Sequence, residues 1–255
     1  MILLLHPRAA GARSRRFPLS ILALAAVIEG QEKYTIIDGN VDPNPADTLE
    51  RVHRDTPADL LAVSVMPGPQ MVAAIPLCRS FRKKFPSVPI VWGGYFPSLY
   101  PDTALNAEYV DYVVRSQGED TFTELIGALR TGADLRAIRG LSYKDGSGRH
   151  VHNPSRPLRS LNDFPWFPYH NLDAAKYIVP TFLGSRTAVH HASIGCPFRC
   201  KFCGVASVFE SENMEAPERT AAILRFLKEQ YAVNAIQFYD SNFFLLEDHA
   251  QELAD

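Results

Sequence analysis

Short apolar runs interleaved with helical stretches occupy the first half of this chain, and they constrain its fold more than any other feature. Residues 2–5, Tyr34–Asp38, and residues 60–65, 89–92 and 109–114 each read as one strand. Leu19–Ile28 reads as a helix, and a second helical stretch runs from Pro69 to Phe85. Phe122, Leu125, Ile126 and Leu129 share one face of a third. Short apolar strands alternating with helices imply a parallel sheet covered on both sides. The expected fold of residues 1–137 is therefore an α/β domain of Rossmann-like, doubly wound type. Pro76 sits inside the second helical stretch, which predicts a kink or a late start there.

The beginning of the chain has two readings. Arg13, Arg15 and Arg16 precede the apolar residues 21–28, a pattern close to a short signal peptide. A strand-like run already stands ahead of those arginines, however, and Glu29 and Gly30 close the second run as a helix end. Strand, loop and helix in a cytoplasmic protein is the reading that accounts for both.

From Ile138 the pattern changes. Residues 141–143 and 149–152 flank Asp145-Gly146-Ser147-Gly148, a hairpin signal. Residues 153–185 are rich in Pro, Asn and aromatic side chains without a period, as expected of an ordered linker in which Trp166, Phe167 and Tyr169 act as packing anchors. A new strand–helix pattern opens at Thr187, continues to a helix near Pro217–Tyr231, and adds another strand at residues 235–239. Three segments follow: 1–137, 138–185 and 186–255.

Composition matters at two points. With 26 Lys and Arg against 28 Asp and Glu, the net charge of −2 gives no electrostatic reason to expect nucleic acid or an anionic membrane as partner. The chain has four cysteines, and three of them, Cys196, Cys200 and Cys203, lie within eight residues. Neighbours so close make poor disulfides and good metal ligands. Three thiolates on a CxxxCxxC loop can hold three corners of a cubane and leave the fourth iron open. Zinc completed by His190, His191 or Cys78 is a second reading, and buried cysteines without metal a third. Cys78 itself reads as a buried helix residue near Val72, Ile75 and Phe81, and His190 and His191 as residues alternating across a strand.

Residues 194–204, Ile-Gly-Cys-Pro-Phe-Arg-Cys-Lys-Phe-Cys-Gly, resemble the signature of radical S-adenosylmethionine enzymes, including the aromatic Phe202 before the last cysteine. The resemblance implies a 4Fe–4S cluster on Cys196, Cys200 and Cys203, with S-adenosylmethionine chelating the open iron and being cleaved to a 5′-deoxyadenosyl radical. It also implies the first βα units of a partial (β/α)6 barrel from residue 186. Asp240 and Asn242, beyond residues 235–239, then fall on the functional rim as polar contacts to cofactor or substrate. On the residues alone, a helix N-cap and a turn serve equally for that pair.

The front half is similar to the cobalamin-binding domain that precedes many such barrels. The likeness rests on Trp92-Gly93-Gly94-Tyr95-Phe96-Pro97-Ser98, on Val110-Asp111-Tyr112-Val113-Val114, and on Gly118-Glu119. It assigns Ser64, Gly93, Gly94 and Tyr95 to cobalamin, the serine and the glycine pair lining the channel for its nucleotide tail. One departure is plain. Where histidine-ligating domains carry D-x-H-x-x-G, this chain reads His6-Pro7-Arg8-Ala9-Ala10-Gly11, with Leu4 in the aspartate's place. A histidine-free binding mode is the expectation.

The resemblance implies a cobalamin-dependent radical methyltransferase acting on an unactivated carbon of a small-molecule substrate, fed by a one-electron reductant such as flavodoxin or ferredoxin. Two alternatives stand beside it: a radical cyclase of the anaerobic porphyrin-ring type, and a truncated, non-catalytic protein that binds cobalamin and a cluster. Only about one and a half βα units fit between Thr187 and Asp255, so the chain reads as a fragment of a longer enzyme.

Overall fold

The computed structural model describes residues 1–11, 14–245 and 247–254. The chain divides into two compact units, one of residues 1–12 and 20–157, the other of residues 13–19 and 158–255.

The first unit is a seven-stranded sheet in the order β2-β1-β3-β4-β5-β6-β7. Its strands are β1 (Ile2–His6), β2 (Tyr34–Asp38), β3 (Leu60–Ser64), β4 (Ile90–Gly93), β5 (Tyr112–Val114), β6 (Leu141–Lys144) and β7 (His150–His152). The helices are α1 (Leu19–Ile28), α2 (Pro45–Asp55), α3 (Pro69–Lys84), the short α4 (Tyr95–Leu99) and α5 (Pro101–Leu105), and α6 (Glu119–Thr131). Strands β1 to β5 pair in parallel. The order reverses between β1 and β3, the switch point at which open α/β sheets bind ligands beyond their carboxyl ends.

Alternation along β1 shows why helices must cover both faces. Leu3 and Leu5 pack with Leu49 of α2 and with Ala74, Cys78 and Phe81 of α3. Ile2 and Leu4 pack with Ile21 and Ala25 of α1 and with Phe122 and Leu125 of α6. Each fully buried leucine contributes roughly 1.5–3 kcal/mol.

Three readings of this half change. Helix α3 starts at Pro69 and runs through Pro76 without interruption, so the expected late start does not occur. Val72 faces solvent, while Cys78 is buried in one cluster with Phe81 and Ile75 as expected, and the indole Nε1 of Trp92 donates to its sulfur at 3.3 Å. The hairpin was set apart from the first domain in the sequence. It belongs to the same sheet, because β6 pairs antiparallel with β5 and β7 with β6.

Among the described residues the second unit has no comparable sheet. Strand β8 (Thr187–His190) pairs in parallel with β11 (Ala235–Phe238), and β9 (Ser193–Ile194) pairs antiparallel with β10 (Asn213–Met214). Its helices are α7 (Val205–Val208), α8 (Pro217–Tyr231) and α9 (Glu247–Ala254). Tyr169 is buried edge-on against Phe17 and Phe167, and Trp166 packs on Phe226, so the linker aromatics are anchors. Among the described residues no helix is long and apolar enough to cross a membrane.

Candidate functional site

In the first unit, the ends of β3, β4 and β5 are drawn together by serines and glycines. Ser64 ends β3, and its Oγ lies 2.8 Å from Oγ of Ser20 in α1. Gly94 follows β4 at φ +96°, a conformation that disfavours any side chain. A Cβ there would stand 3.2 Å from both the nitrogen and the carbonyl oxygen of Val65 and 3.4 Å from Ser64 Oγ. The two loops are thus in backbone contact, and Phe96 N donates to Val65 O at 3.1 Å. Gly93 is less demanding, since its Cβ would make ordinary contact with Val114. Tyr95 opens α4 and is partly buried.

Ser98, the last residue of the glycine-pair string, and Ser116, which sequence reasoning missed, complete this ledge. Ser98 Oγ donates to Gly94 O at 2.7 Å and accepts from Ser116 N at 2.9 Å. Ser116 holds φ +63°, a left-handed conformation uncommon for a residue with a side chain. The four-residue spacing of Gly94 and Ser98 on a short helix carried a signal for the first contact. Nothing in the sequence pointed to Ser20 or Ser116.

In the second unit, the three cysteines lie on a loop closed at its neck by β9 and β10. Ser193 pairs with Met214 and Ile194 with Asn213, while Glu215 N donates to Ala192 O at 2.7 Å. Gly195 turns the chain out of β9 at φ +83°, where a Cβ would overlap the carbonyl oxygen of Ser211. Asp240 braces the neck from the end of β11. Its Oδ1 accepts from Ser193 Oγ at 2.7 Å and its Oδ2 from Ala192 N at 3.2 Å. It is therefore neither a helix cap nor idle. Asn242 lies in the following turn, its carbonyl accepting from Leu245 N at 3.4 Å.

Cys200 and Cys203 are exposed, Cys196 is half-buried, and none forms a disulfide. Cys203 N donates to Cys200 O at 3.0 Å in a tight turn. Phe202 is 94% exposed. Among the described residues no three Cys, His, Asp or Glu side chains stand close enough to enclose a metal. The donor chemistry nonetheless fits a cluster: three thiols, free of disulfides, on one short exposed loop with a braced neck. Exposure of two of them argues against three buried cysteines.

The other zinc ligands that sequence reasoning offered are engaged elsewhere. Cys78 is fully buried in the first unit, where burial pushes its thiol up to about 12. His190 Nε2 lies 2.9 Å from Glu215 Oε2 in a buried pair that Thr220 Oγ1 joins at 2.7 Å. His191 does not alternate with His190 across the strand. The two rings stack, with centroids 5.9 Å apart, because β8 has ended at His190. Burial and the neighbouring His190 push His191 down to about 4.

Residues 7–126 match the sequence family described as B12 binding domain. The chain is 29% identical over 240 residues to an uncharacterized methyltransferase of Pyrococcus horikoshii, covering 93% of this chain and 51% of that protein. It is 25% identical over 228 residues to the anaerobic magnesium-protoporphyrin IX monomethyl ester cyclase of Synechocystis, covering 88% and 45%. The fold matches that of the cobalamin-dependent S-adenosylmethionine radical enzyme OxsB, solved with aqua-cobalamin and S-adenosylmethionine bound. That match has a TM-score of 0.81 at 20% identity and covers 99% of this chain and 36% of OxsB. The radical S-adenosylmethionine methyltransferase TsrM from Kitasatospora setae, solved with cobalamin and a 4Fe–4S cluster, matches with a TM-score of 0.76 at 19% identity, covering 99% and 51%. The chain thus spans about half the length of the curated relatives it matches.

Proposed function

We propose that this chain is the cofactor-binding half of a cobalamin-dependent radical S-adenosylmethionine enzyme that transfers a methyl group to an unactivated carbon of a small molecule. The observation that carries the reading is the presence in one chain of a glycine–serine ledge at the sheet's switch side and a three-thiol loop on a braced neck. When bound, the cofactors supply the radical and the methyl group. The protein's part is to hold and orient them. Cys196, Cys200 and Cys203 ligate the cluster, with Phe202 covering it. Gly93 and Gly94 let the cobalamin tail approach the backbone, and Ser64 and Tyr95 line its channel. Asp240 and Asn242 present polar groups to S-adenosylmethionine or substrate, and Asp240 also fixes the first turn of the cysteine loop. A flavodoxin or ferredoxin supplies the electron.

A second reading, radical ring cyclisation, is favoured by the similarity to the magnesium-protoporphyrin cyclase.

The test is 5′-deoxyadenosine formation after anaerobic reconstitution and reduction with dithionite, run on this chain and on a chain of the relatives' length. The longer chain is expected to cleave S-adenosylmethionine and this chain to turn over little. An intact cluster with no 5′-deoxyadenosine at either length moves the assignment to a non-catalytic binding protein.

A further inference from the structure

Residues 13–19 follow β1 in sequence and belong to the second unit. Phe17 anchors this segment there. Its ring is buried, edge-on to Tyr169 with centroids 5.0 Å apart and stacked on Tyr177 at 5.3 Å. The neighbouring Arg16 is thereby held beside β11, where its Nη2 donates to Gln237 Oε1 at 3.4 Å. Gln237 alternates with Ile236 and Phe238 along β11. Phe238 meets the ring of His190, which is bonded to Glu215 at the entrance to α8. Gln237 and Arg16 therefore stand on the opposite face of the β8–β11 pair, the face that a βα barrel turns inward.

The guanidinium there is poorly satisfied. Arg16 is half-buried, and its Nε is buried without a partner. Nη1 donates to the carbonyl of Arg15 at 2.7 Å, while the bond to Gln237 is long. Among the described residues no carboxylate pairs with Arg16. Arg82 shows the ordinary arrangement: its Nε is also buried and unpartnered, but Asp111 supplies a counter-charge. Asp240, the nearest acid along the chain after β11, already accepts from Ser193 Oγ and Ala192 N. Taking a guanidinium out of water without a counter-charge is costly. A bound oxyanion offsets that cost, because its paired oxygens match the planar donor fork.

We infer that Arg16 receives a carboxylate or phosphate group of the substrate, with Gln237 beside it as a second polar contact. The inference rests on the radical reading above and narrows the small molecule to one that carries an anion. S-adenosylmethionine also carries a carboxylate, and the test separates the two sources.

The test is proton–nitrogen correlation NMR of the arginine Nε–H groups in this chain. The Arg16 signal is identified by its absence from Arg16→Lys and Arg16→Gln. Inorganic phosphate and acetate, each added against sodium chloride at equal ionic strength, should move that signal saturably and leave the Arg82 signal in place. Phosphate binding is read a second time as protection against thermal unfolding relative to chloride. Arg16→Gln should weaken it about 10–100-fold, the loss expected for hydrogen bonds to a charged group. An Arg16 signal that stays in place, or that moves equally with chloride, overturns the inference. A signal moved by S-adenosylmethionine and by neither phosphate nor acetate gives the site to that cofactor and overturns it as well. None of these readings involves the cluster, so the radical assignment stands or falls separately, on 5′-deoxyadenosine formation.

Discussion

The two halves of this chain hold their candidate sites in different ways. The first unit builds its ledge on strands buried from both sides, and most of its large apolar side chains are in the core, with Met66, Val72 and Tyr100 exposed. The second unit has two strand pairs and leaves Phe182, Phe198, Phe202, Tyr239 and Phe244 facing solvent. Exposed aromatics in such number are unusual for a self-contained domain. Ile223 and Leu227 are not part of that surface; the structure buries both. A site on a two-sided sheet is shaped before its ligand arrives. The cysteine loop is fixed at its neck, while its thiols stand open.

The largest effect expected from this contrast is in the second half. Replacing Cys196, Cys200 or Cys203 by Ala should abolish the charge-transfer absorbance of the reconstituted protein and reduce bound iron from about four per chain, as in a cubane, to background. Cys78→Ala should leave both unchanged. If Cys78→Ala removed the absorbance and zinc copurified, the contrast between a structural and a ligating cysteine would break.

The core should be next in size. Leu4→Ala, in a fully buried strand, should lower the stability of the first unit by about 2–5 kcal/mol in urea unfolding. Phe202→Ala, at a fully open side chain, should change stability by no more than roughly 0.5 kcal/mol. Comparable losses from the two would show that the cysteine loop is a packed element.

The ledge should respond less, and specifically. Gly94→Val should weaken cobalamin binding by roughly tenfold, about 1.4 kcal/mol. Gly11→Val should not, because a Cβ at Gly11 meets nothing within 4 Å. Circular dichroism separates lost binding from lost fold, since Gly94 also holds a positive φ.

The smallest effect is a pH dependence confined to the second unit. Burial alone would raise the Glu215 carboxyl, but hydrogen bonds from His190, Thr220 and Arg219 outweigh it and hold the group below its usual range. His191 is held down at about 4 by burial and by His190. Both groups have folded values below their unfolded ones, so both contribute stability that is present above the unfolded values. That stability is lost as pH falls, from about 6.5 toward 4 for His191 and at lower pH for Glu215. Near-ultraviolet dichroism of Tyr169 and Phe226 should therefore fade with acid before far-ultraviolet signal from the sheet does. Simultaneous loss would show that the two units unfold as one.

What could be read from the chain itself follows from local periodicity and spacing. Alternating runs such as residues 2–5 and Leu19–Ile28 announced a two-faced parallel sheet, because each strand's side chains had to be buried on both sides. The Cys196–Cys200–Cys203 spacing put three thiols on one short loop free of disulfides, because neighbours that close pair poorly. What only the tertiary structure decided are pairings across sequence distance. Asp38 meets His6 because β1 and β2 are neighbours in register, which no local motif encodes. Asp240 braces Ala192 and Ser193 because β11 lies beside β8. Ser20 reaches Ser64, and the hairpin joins the sheet through β5, by the same kind of long-range contact. Hydrogen bonds form between groups that packing brings within about 3 Å, and a linear pattern does not contain that distance.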